Sequence, residues 1–168
     1  MTTPVVERLG AADAEDARTI RLEALKLHPE SFCADLEAWE AKTLEQWQSM
    51  LSAGAWFGVR QSGKLVAVAA FTRPCSEKLA HTGELSGMYV RAEQRGTGIA
   101  DALIHGVIEH AVHEVVQVKL TVNAENTRAI KLYERHGFRI VGRIPHVIHV
   151  GDKFYDEVVM VRGVSTTD

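Results

Sequence analysis

The stretch "VRAEQRGTGIADALI", residues Val90–Ile104, combines a change of periodicity with two closely spaced glycines. An apolar strand pattern ends where this stretch begins, and apolar residues recur at helical spacing from Ile99 onward. Gly96 and Gly98 let the main chain turn tightly and approach a ligand closely. The unpaired N–H groups of the helix's first turn, with Arg95 beside them, would suit a phosphate or pyrophosphate. A ligand-free capping turn with a second glycine is the alternative interpretation.

The glycine loop does not match the two commonest nucleotide-binding loops. A Walker loop ends in Gly-Lys-Ser/Thr, whereas Ile99 and Ala100 follow Gly98 here. A Rossmann fingerprint needs a third small residue at fixed spacing, and the series Gly96-x-Gly98-x-x-Asp101 breaks that spacing. If the loop binds phosphate, it therefore does so as a third type of loop, found in neither Walker nor Rossmann proteins.

The rest of the chain predicts one α/β domain that spans residues 1–168. Its 168 residues, with 46% hydrophobic and 24% charged content, fit a single hydrophobic core. A net charge of -3 and a pI near 6.2 argue against nucleic acid or an anionic membrane as partner. The N-terminal residues lack a signal-peptide pattern and the run "LVAVAAF" is too short to span a bilayer, so we predict a cytoplasmic protein.

The cysteines and histidines predict no metal site. Cys33 and Cys75 are far apart and neither belongs to a Cys-x-x-Cys pair, which favours two reduced thiols. His110 and His113 share a helix face, but no third ligand is spaced to join them.

Periodicity predicts a mixed sheet of about seven strands flanked by about four helices, an α/β fold of the α+β kind. Strands are expected at about 5–8, 55–60, 64–73, 83–90, 116–122, 138–144 and 154–161, and helices at about 13–28, 43–53, 98–114 and 126–137. The strands "GELSGMYV" and "VQVKLTV" should be parallel, since a long helix connects them as a crossover. Gly87 inside the first of these strands predicts a β-bulge. Ligands of such sheets bind at the carboxyl ends of the strands, which is where the glycine loop lies.

Two motifs resemble those of the N-acetyltransferase superfamily called GNAT. The pattern Arg95-x-x-Gly98-x-Ala100 is similar to that family's pyrophosphate-binding signature. The segment "NAENTRAIKLYERHGF" resembles its Asn-x-x-Ala-x-x-Leu-Tyr-x-x-x-Gly-Phe motif, which is matched at Asn126, Ala129, Leu132, Tyr133, Gly137 and Phe138. Ala92 departs from the pattern, because many relatives carry proline there.

The resemblance implies acetyl-CoA as cosubstrate and an amine as acetyl acceptor. The implied cosubstrate-binding residues are Met88, Tyr89, Val90, Arg95, Gly96, Thr97, Gly98, Ile99, Ala100 and Asn126. The loop would hold the pyrophosphate, and the pantetheine arm would follow the end of the strand, where the two central parallel strands splay apart. The N–H of Met88 would polarise the thioester carbonyl. Asn126 would reach a pantetheine amide, serve as a helix N-cap, or do both.

The same resemblance assigns an acid and a base. An amine is protonated at neutral pH and cannot attack until a base removes its proton. Glu84 occupies the position of the base in the histone-acetyltransferase branch; an ordered water, His81, or a merely solvated Glu84 are the alternatives. Tyr133 matches the tyrosine that protonates the CoA thiolate, while its helical spacing also fits a core tyrosine.

The acceptor is less well defined by the sequence. Phe32, Trp39 and Phe154 are expected to line its apolar part. Acidic residues that would attract a cationic amine are Glu30, Asp35, Glu37, Asp152, Asp156 and Glu157. A small-molecule amine and a protein amine both remain open, as do a homodimer, another acyl group, and a non-catalytic module that only binds acyl-CoA.

Overall fold

Residues 4–164 of the computed structural model form one seven-stranded sheet with five α-helices. The strands are β1 (Val6–Leu9), β2 (Ala55–Gln61), β3 (Lys64–Thr72), β4 (Thr82–Val90), β5 (Gln117–Asn123), β6 (Arg139–Val150) and β7 (Lys153–Gly163). The helices are α1 (Ala14–Leu27), α2 (Leu36–Glu40), α3 (Leu44–Ala53), α4 (Ile99–Ala111) and α5 (Thr127–Arg135). None of these helices combines the length and the apolar character that a membrane-spanning segment requires.

The sheet is mixed, as the sequence predicts. The strand order is β1-β2-β3-β4-β5-β7-β6. The neighbours β4 and β5 are parallel and joined through α4, while the other neighbouring pairs are antiparallel. The last strand, β7, lies between β5 and β6, which leaves β6 at the edge.

The pairing of β4 with β5 ends early. It runs from Thr82 opposite Gln117 only to Glu84 opposite Lys119. Beyond that point β4 bulges, since Ser86 pairs with Ala70 of β3 but Tyr89 pairs with Val68. Gly87 has φ +60°, a conformation that glycine adopts without strain, so the predicted bulge is confirmed. The two central strands therefore part at the middle of the sheet.

Local signals account for most helix boundaries. Thr43 and Gln46 form the predicted capping box at the start of α3, with side-chain-to-backbone hydrogen bonds of 3.2 and 2.9 Å. Asn126 Oδ1 accepts the Ala129 N–H at 3.1 Å and caps α5. Asp13 precedes α1 as predicted, but its carboxylate accepts the N–H of Gly10 at 2.9 Å and so caps the preceding 3₁₀ turn. The short helix α2 was not predicted.

Two apolar layers cover the two faces of the sheet. Side chains alternate between the layers along β2, and along β3 except at the adjacent pair Val66 and Ala67, as strands buried on both faces require. The helix α4 packs on one face through Leu103 and Val107, whereas α1 and α3 pack on the other around Trp47. This arrangement fixes the amino end of α4 beside the carboxyl end of β4.

Leu103→Ala is expected to lower the free energy of unfolding by about 2–5 kcal/mol, because it opens a cavity under α4. Leu103 is fully buried in the layer that holds α4. Chemical denaturation followed by circular dichroism measures the change. Leu79→Ala removes the same atoms from an exposed turn and should change stability by less than about 0.5 kcal/mol. Equal losses in the two variants would contradict this account of the core.

Candidate functional site

The gap between β4 and β5 opens into two adjoining clefts. The first cleft, of about 420 Å³, lies between the glycine loop and α5. The second cleft, of about 290 Å³, lies between β4, β5 and the segment after α1. Both clefts share a wall made by Ser31, Phe32, Met88, Asn126, Ala129 and Tyr133. A molecule that occupied the first cleft would therefore meet a molecule in the second at Met88 and Tyr133.

The glycine loop borders the first cleft. Gly96 and Gly98 have φ values of +81° and +84°, and Gly98 is the N-cap of α4. A Cβ added at either position would meet nothing within 4 Å, so the backbone conformation rather than crowding favours glycine there. The positive end of the α4 dipole thus points toward an open cleft that an anion can enter.

Arginines surround the same region. The Nε of Arg95 donates to the Val90 carbonyl at 3.0 Å, and its Nη2 lies 3.2 Å from Nε2 of His28. Arg128 and Arg135, which sequence reasoning did not single out, also line the first cleft. Arg135 donates to Asp101 at 2.9 Å. Burial raises the pKa of Asp101, whereas hydrogen bonds from His136 and Arg135 lower it. The hydrogen bonds outweigh burial and hold the pKa of Asp101 below its usual value.

Two loop residues contribute no side chain to the cleft walls. The hydroxyl of Thr97 donates back to the Gln94 carbonyl at 2.7 Å. Ile99 is buried in the core beneath α4. Their contribution to a ligand would therefore come from the backbone. The other residues that the sequence predicts for the cosubstrate line the first cleft: Met88, Tyr89, Val90, Arg95, Gly96, Gly98, Ala100 and Asn126.

The bulge in β4 borders both clefts, through Met88 in the first and through Gly87 and Met88 in the second. Neither Gly87 nor Met88 is opposite a partner residue in β3, and both lie beyond the last β4–β5 pair. The side chain of Tyr89 turns toward α1, where its hydroxyl donates to Glu23 at 3.0 Å. Burial, followed by the contact with Glu23, raises the pKa of Tyr89 to about 12. The structure thus uses Tyr89 to anchor the strand to α1 and leaves the bulge facing the clefts.

Tyr133 stands at the junction of the two clefts. The side chain is buried on α5, packs edge-on against Phe138, and its hydroxyl donates to the Met88 sulfur at 3.5 Å. Burial raises the pKa of Tyr133 well above its usual value. The phenol is therefore a proton-bearing hydrogen-bond donor at any pH where the protein is used.

Two carboxylates line the second cleft. Glu84 is partly exposed, and its Oε2 lies 3.2 Å from the Lys119 ammonium. Glu157 is only 5% exposed, and the Cys33 sulfur lies 3.7 Å from its Oε1. Desolvation, and then the charges of Glu157 and Glu84, raise the pKa of the Cys33 thiol. Sequence reasoning identified Glu157 only as one of several acidic residues near the acceptor.

The three aromatic candidates have different positions. Phe32 lines both clefts. Trp39 lines neither cleft and packs edge-on against Trp47 at 5.3 Å between ring centroids. Phe154 is exposed on β7 and stacks on His149 at 4.3 Å, outside both clefts. His81 also lies outside them.

Arg21 is the cleft residue that sequence reasoning missed most clearly. It lies on α1, lines the second cleft and is 5% exposed. A signal was present, because Arg21 falls on the apolar stripe of α1 formed by Ala17, Ala24 and Leu25. A charged residue at such a position is unusual enough to mark a site. Within residues 4–164, no group of three or more His, Cys, Asp or Glu side chains is arranged to hold a metal ion.

Comparison with known proteins gives a family match for most of the chain. The model of the acetyltransferase (GNAT) family matches residues 21–138. An uncharacterized N-acetyltransferase of Mycobacterium tuberculosis is 34% identical over 104 residues, which cover 61% of this chain and 63% of that protein. The match therefore spans less than two thirds of that relative's length.

Solved structures share the fold at low sequence identity. An acetyltransferase of the GNAT family from Streptococcus pneumoniae superposes with a TM-score of 0.85 at 21% identity, over 95% of this chain and 98% of that one. A phosphinothricin acetyltransferase from Sinorhizobium meliloti, solved in complex with acetyl-CoA, gives a TM-score of 0.81 at 16% identity, over 98% of this chain and 90% of that one. The predicted fold class is confirmed.

Proposed function

Because the chain belongs to the GNAT acetyltransferase family, we propose that it transfers the acetyl group of acetyl-CoA to a primary amine. The observation that carries this proposal is the junction of the two clefts at Met88 and Tyr133. One cleft begins at an anion-binding helix terminus, and the other contains carboxylates that suit a cationic amine. The two substrates would meet where an unpaired strand edge and a buried phenol face each other.

Acetyl-CoA would occupy the first cleft. Its pyrophosphate would accept hydrogen bonds from the backbone of the glycine loop and the first turn of α4, with Arg95 and Arg128 at the rim. The pantetheine arm would extend along Met88–Val90, beyond the last β4–β5 pair. Since Oδ1 of Asn126 already caps α5, its NH₂ group is the donor that would reach a pantetheine carbonyl. A fold neighbour solved with acetyl-CoA supports acetyl-CoA as the cosubstrate.

Glu84 would act as the base, directly or through a water that it orders. It would take a proton from the ammonium form of the acceptor, which frees the nitrogen lone pair. The nitrogen would then attack the thioester carbon, and the N–H of Met88 would stabilise the negative oxygen that forms. Glu157 is the second candidate for the base, because it is a buried carboxylate in the same cleft.

Tyr133 would assist departure of CoA. As the C–S bond breaks, the phenol would donate a hydrogen bond and then its proton to the sulfur, so that CoA leaves as the thiol. A free thiol has a pKa of about 8.5, so the thiol is the stable form of the product at neutral pH. The attacking nitrogen still carries one proton more than the amide product, and passing that proton to the phenolate, directly or through water, would restore the phenol. The products are the acetylated amine and CoA thiol, so the charge on the departing sulfur does not accumulate.

The test combines binding and turnover on the intact chain. Calorimetric titration measures affinity for acetyl-CoA and for CoA that lacks its pyrophosphate. A thiol-reactive dye then measures CoA release in the presence of a panel of primary amines. We expect acetyl-CoA to bind, the truncated cosubstrate not to bind, and thiol release to depend on an amine. Binding without turnover on any amine would favour a non-catalytic acyl-CoA-binding module, and faster turnover with a longer acyl chain would identify another donor.

Glu84→Gln should lower kcat by about 100-fold, since it removes the proposed base, with little change in acetyl-CoA affinity. Glu157→Gln is the matched comparison, because it makes the same change in the same cleft. Steady-state kinetics across pH 6–9 separate the two variants. If Glu157→Gln loses turnover while Glu84→Gln keeps it, the base is Glu157.

A further inference from the structure

Arg21 is a buried cation at the acceptor end of the site. Its side chain lies in the wall of the second cleft and is 5% exposed. Its Nε and Nη1 are both buried without a hydrogen-bond partner among residues 4–164. A buried charge without a hydrogen-bond partner costs several kcal/mol, which contacts with aromatic rings offset only in part.

The acidic residues of the same cleft do not neutralise Arg21. Among the described residues, Glu84 pairs with Lys119, and Glu157 is contacted by the Cys33 thiol. Burial lowers the pKa of Arg21 to about 10, which still leaves the guanidinium charged at neutral pH. The cleft thus contains a positive charge with donor atoms to spare, beside carboxylates that form no ion pair with it among the described residues.

The guanidinium is held in a fixed orientation. Its central carbon lies 4.6 Å from the ring centroid of Phe32 and 5.0 Å from that of Trp39. Such stacking positions an arginine without using its N–H donors. A Cβ built on Gly87 would lie 3.6 Å from Nη1, which sets the guanidinium against the β4 bulge, one residue from Met88. Whatever Arg21 binds is therefore close to the place where the acetyl group would be transferred.

We propose that Arg21 binds an anionic group of the acceptor, and that the acceptor is a small amine which also carries a carboxylate or an oxyanion of similar shape, such as a free amino acid. This inference rests on the proposed function and narrows it. The planar guanidinium matches a carboxylate through paired N–H donors. Glu84 and Glu157, which line the same cleft, would receive the ammonium end of the molecule. Acceptors with cationic groups alone, such as polyamines and aminoglycosides, would leave Arg21 unpaired.

The test compares acids with their neutral counterparts. Each common L-amino acid with a primary amine is offered beside its carboxamide, which keeps the shape and the amine but removes the negative charge. We expect kcat/KM to be about 10- to 100-fold higher for the preferred amino acid than for its carboxamide. Arg21→Met should abolish that preference, chiefly by raising KM for the acids, with a much smaller effect on the carboxamides and no effect on acetyl-CoA affinity. The melting temperature should not fall, because the variant removes an unpaired buried charge.

Lys26→Met is the matched control, since it removes an exposed positive charge from the same helix. It should keep the preference for acids. The inference is wrong if the wild-type protein acetylates carboxamides as fast as acids. It is also wrong if the protein binds acetyl-CoA but acetylates no amino acid, and the proposed function is then tested by assays with other amines. If Arg21→Met slows acids and carboxamides equally and lowers the melting temperature, Arg21 only supports packing. Failure to bind acetyl-CoA would instead remove the proposed function itself.

Discussion

Gly98→Asp is expected to weaken acetyl-CoA binding by about 100-fold or more, because it places a negative charge where the pyrophosphate would lie. Gly98 is the N-cap of α4, and a Cβ there meets nothing within 4 Å, so the variant should fold. Aspartate also adopts left-handed backbone angles more readily than most residues. Calorimetric titration with acetyl-CoA measures the loss.

Gly98→Asn separates charge from backbone strain in this experiment. Asparagine has nearly the same shape and the same tolerance of φ near +84° but no charge. We expect it to retain most of the affinity. If both variants lose affinity equally, the glycine is needed for its conformation alone, and the charge argument for the pyrophosphate site fails.

Tyr133→Phe is expected to lower kcat by about two to three orders of magnitude, because it removes the proposed donor to the CoA thiolate. Acetyl-CoA affinity should change little. The hydroxyl donates only to a thioether sulfur within the described residues, and such a contact contributes little to stability, so the variant should fold normally.

The pH dependence gives a second readout for Tyr133. Burial disfavours the phenolate and raises the pKa, so the wild-type phenol keeps its proton throughout the alkaline range used for assays. The rate ratio of wild type to Tyr133→Phe should therefore be the same at pH 7 and pH 9. Tyr155→Phe, which removes a hydroxyl outside both clefts, should have wild-type kinetics. A ratio that shrinks toward pH 9 would mean that the phenol ionises and that its environment is wetter than its burial indicates.

Features with local causes could be predicted from the sequence. The turn at Gly96 and Gly98, the Thr43 capping box and the Asn126 cap each depend on residues within one turn of the chain. The parallel pairing of β4 with β5 followed from the crossover helix between them. These features define the first cleft, so the place of the proposed pyrophosphate site could be predicted as well.

Features that depend on distant contacts could not be predicted in the same way. The hairpin that joins β6 and β7 does not determine which of the two strands pairs with β5. Pairing through β7 buries Val158 and Met160, which favours that arrangement. Glu157 reaches the second cleft only because of that choice. Phe154 lies outside the clefts because it is close to the turn that joins β6 and β7. The pairing of β7 with β5 begins only at Glu157, three residues later. The helix face of Arg21 could be read from the sequence. Its contacts with Phe32 and Trp39 could not, because those residues lie in later segments of the chain.

The early end of β4–β5 pairing also bears on association between copies of the protein. An unpaired strand edge is a template on which strands of other molecules can add, and exposed edges lead to aggregation. Here the unpaired stretches face each other across the gap, and Ala129 and Tyr133 of α5 line both clefts beside it. A strand from another molecule would have to enter the gap between β4 and β5, which this chain bounds on two sides. An unbranched extended ligand is narrower than a strand with its side chains and fits the gap. The fold can therefore offer strand backbone to a ligand in the middle of its sheet, where other polypeptides do not reach it.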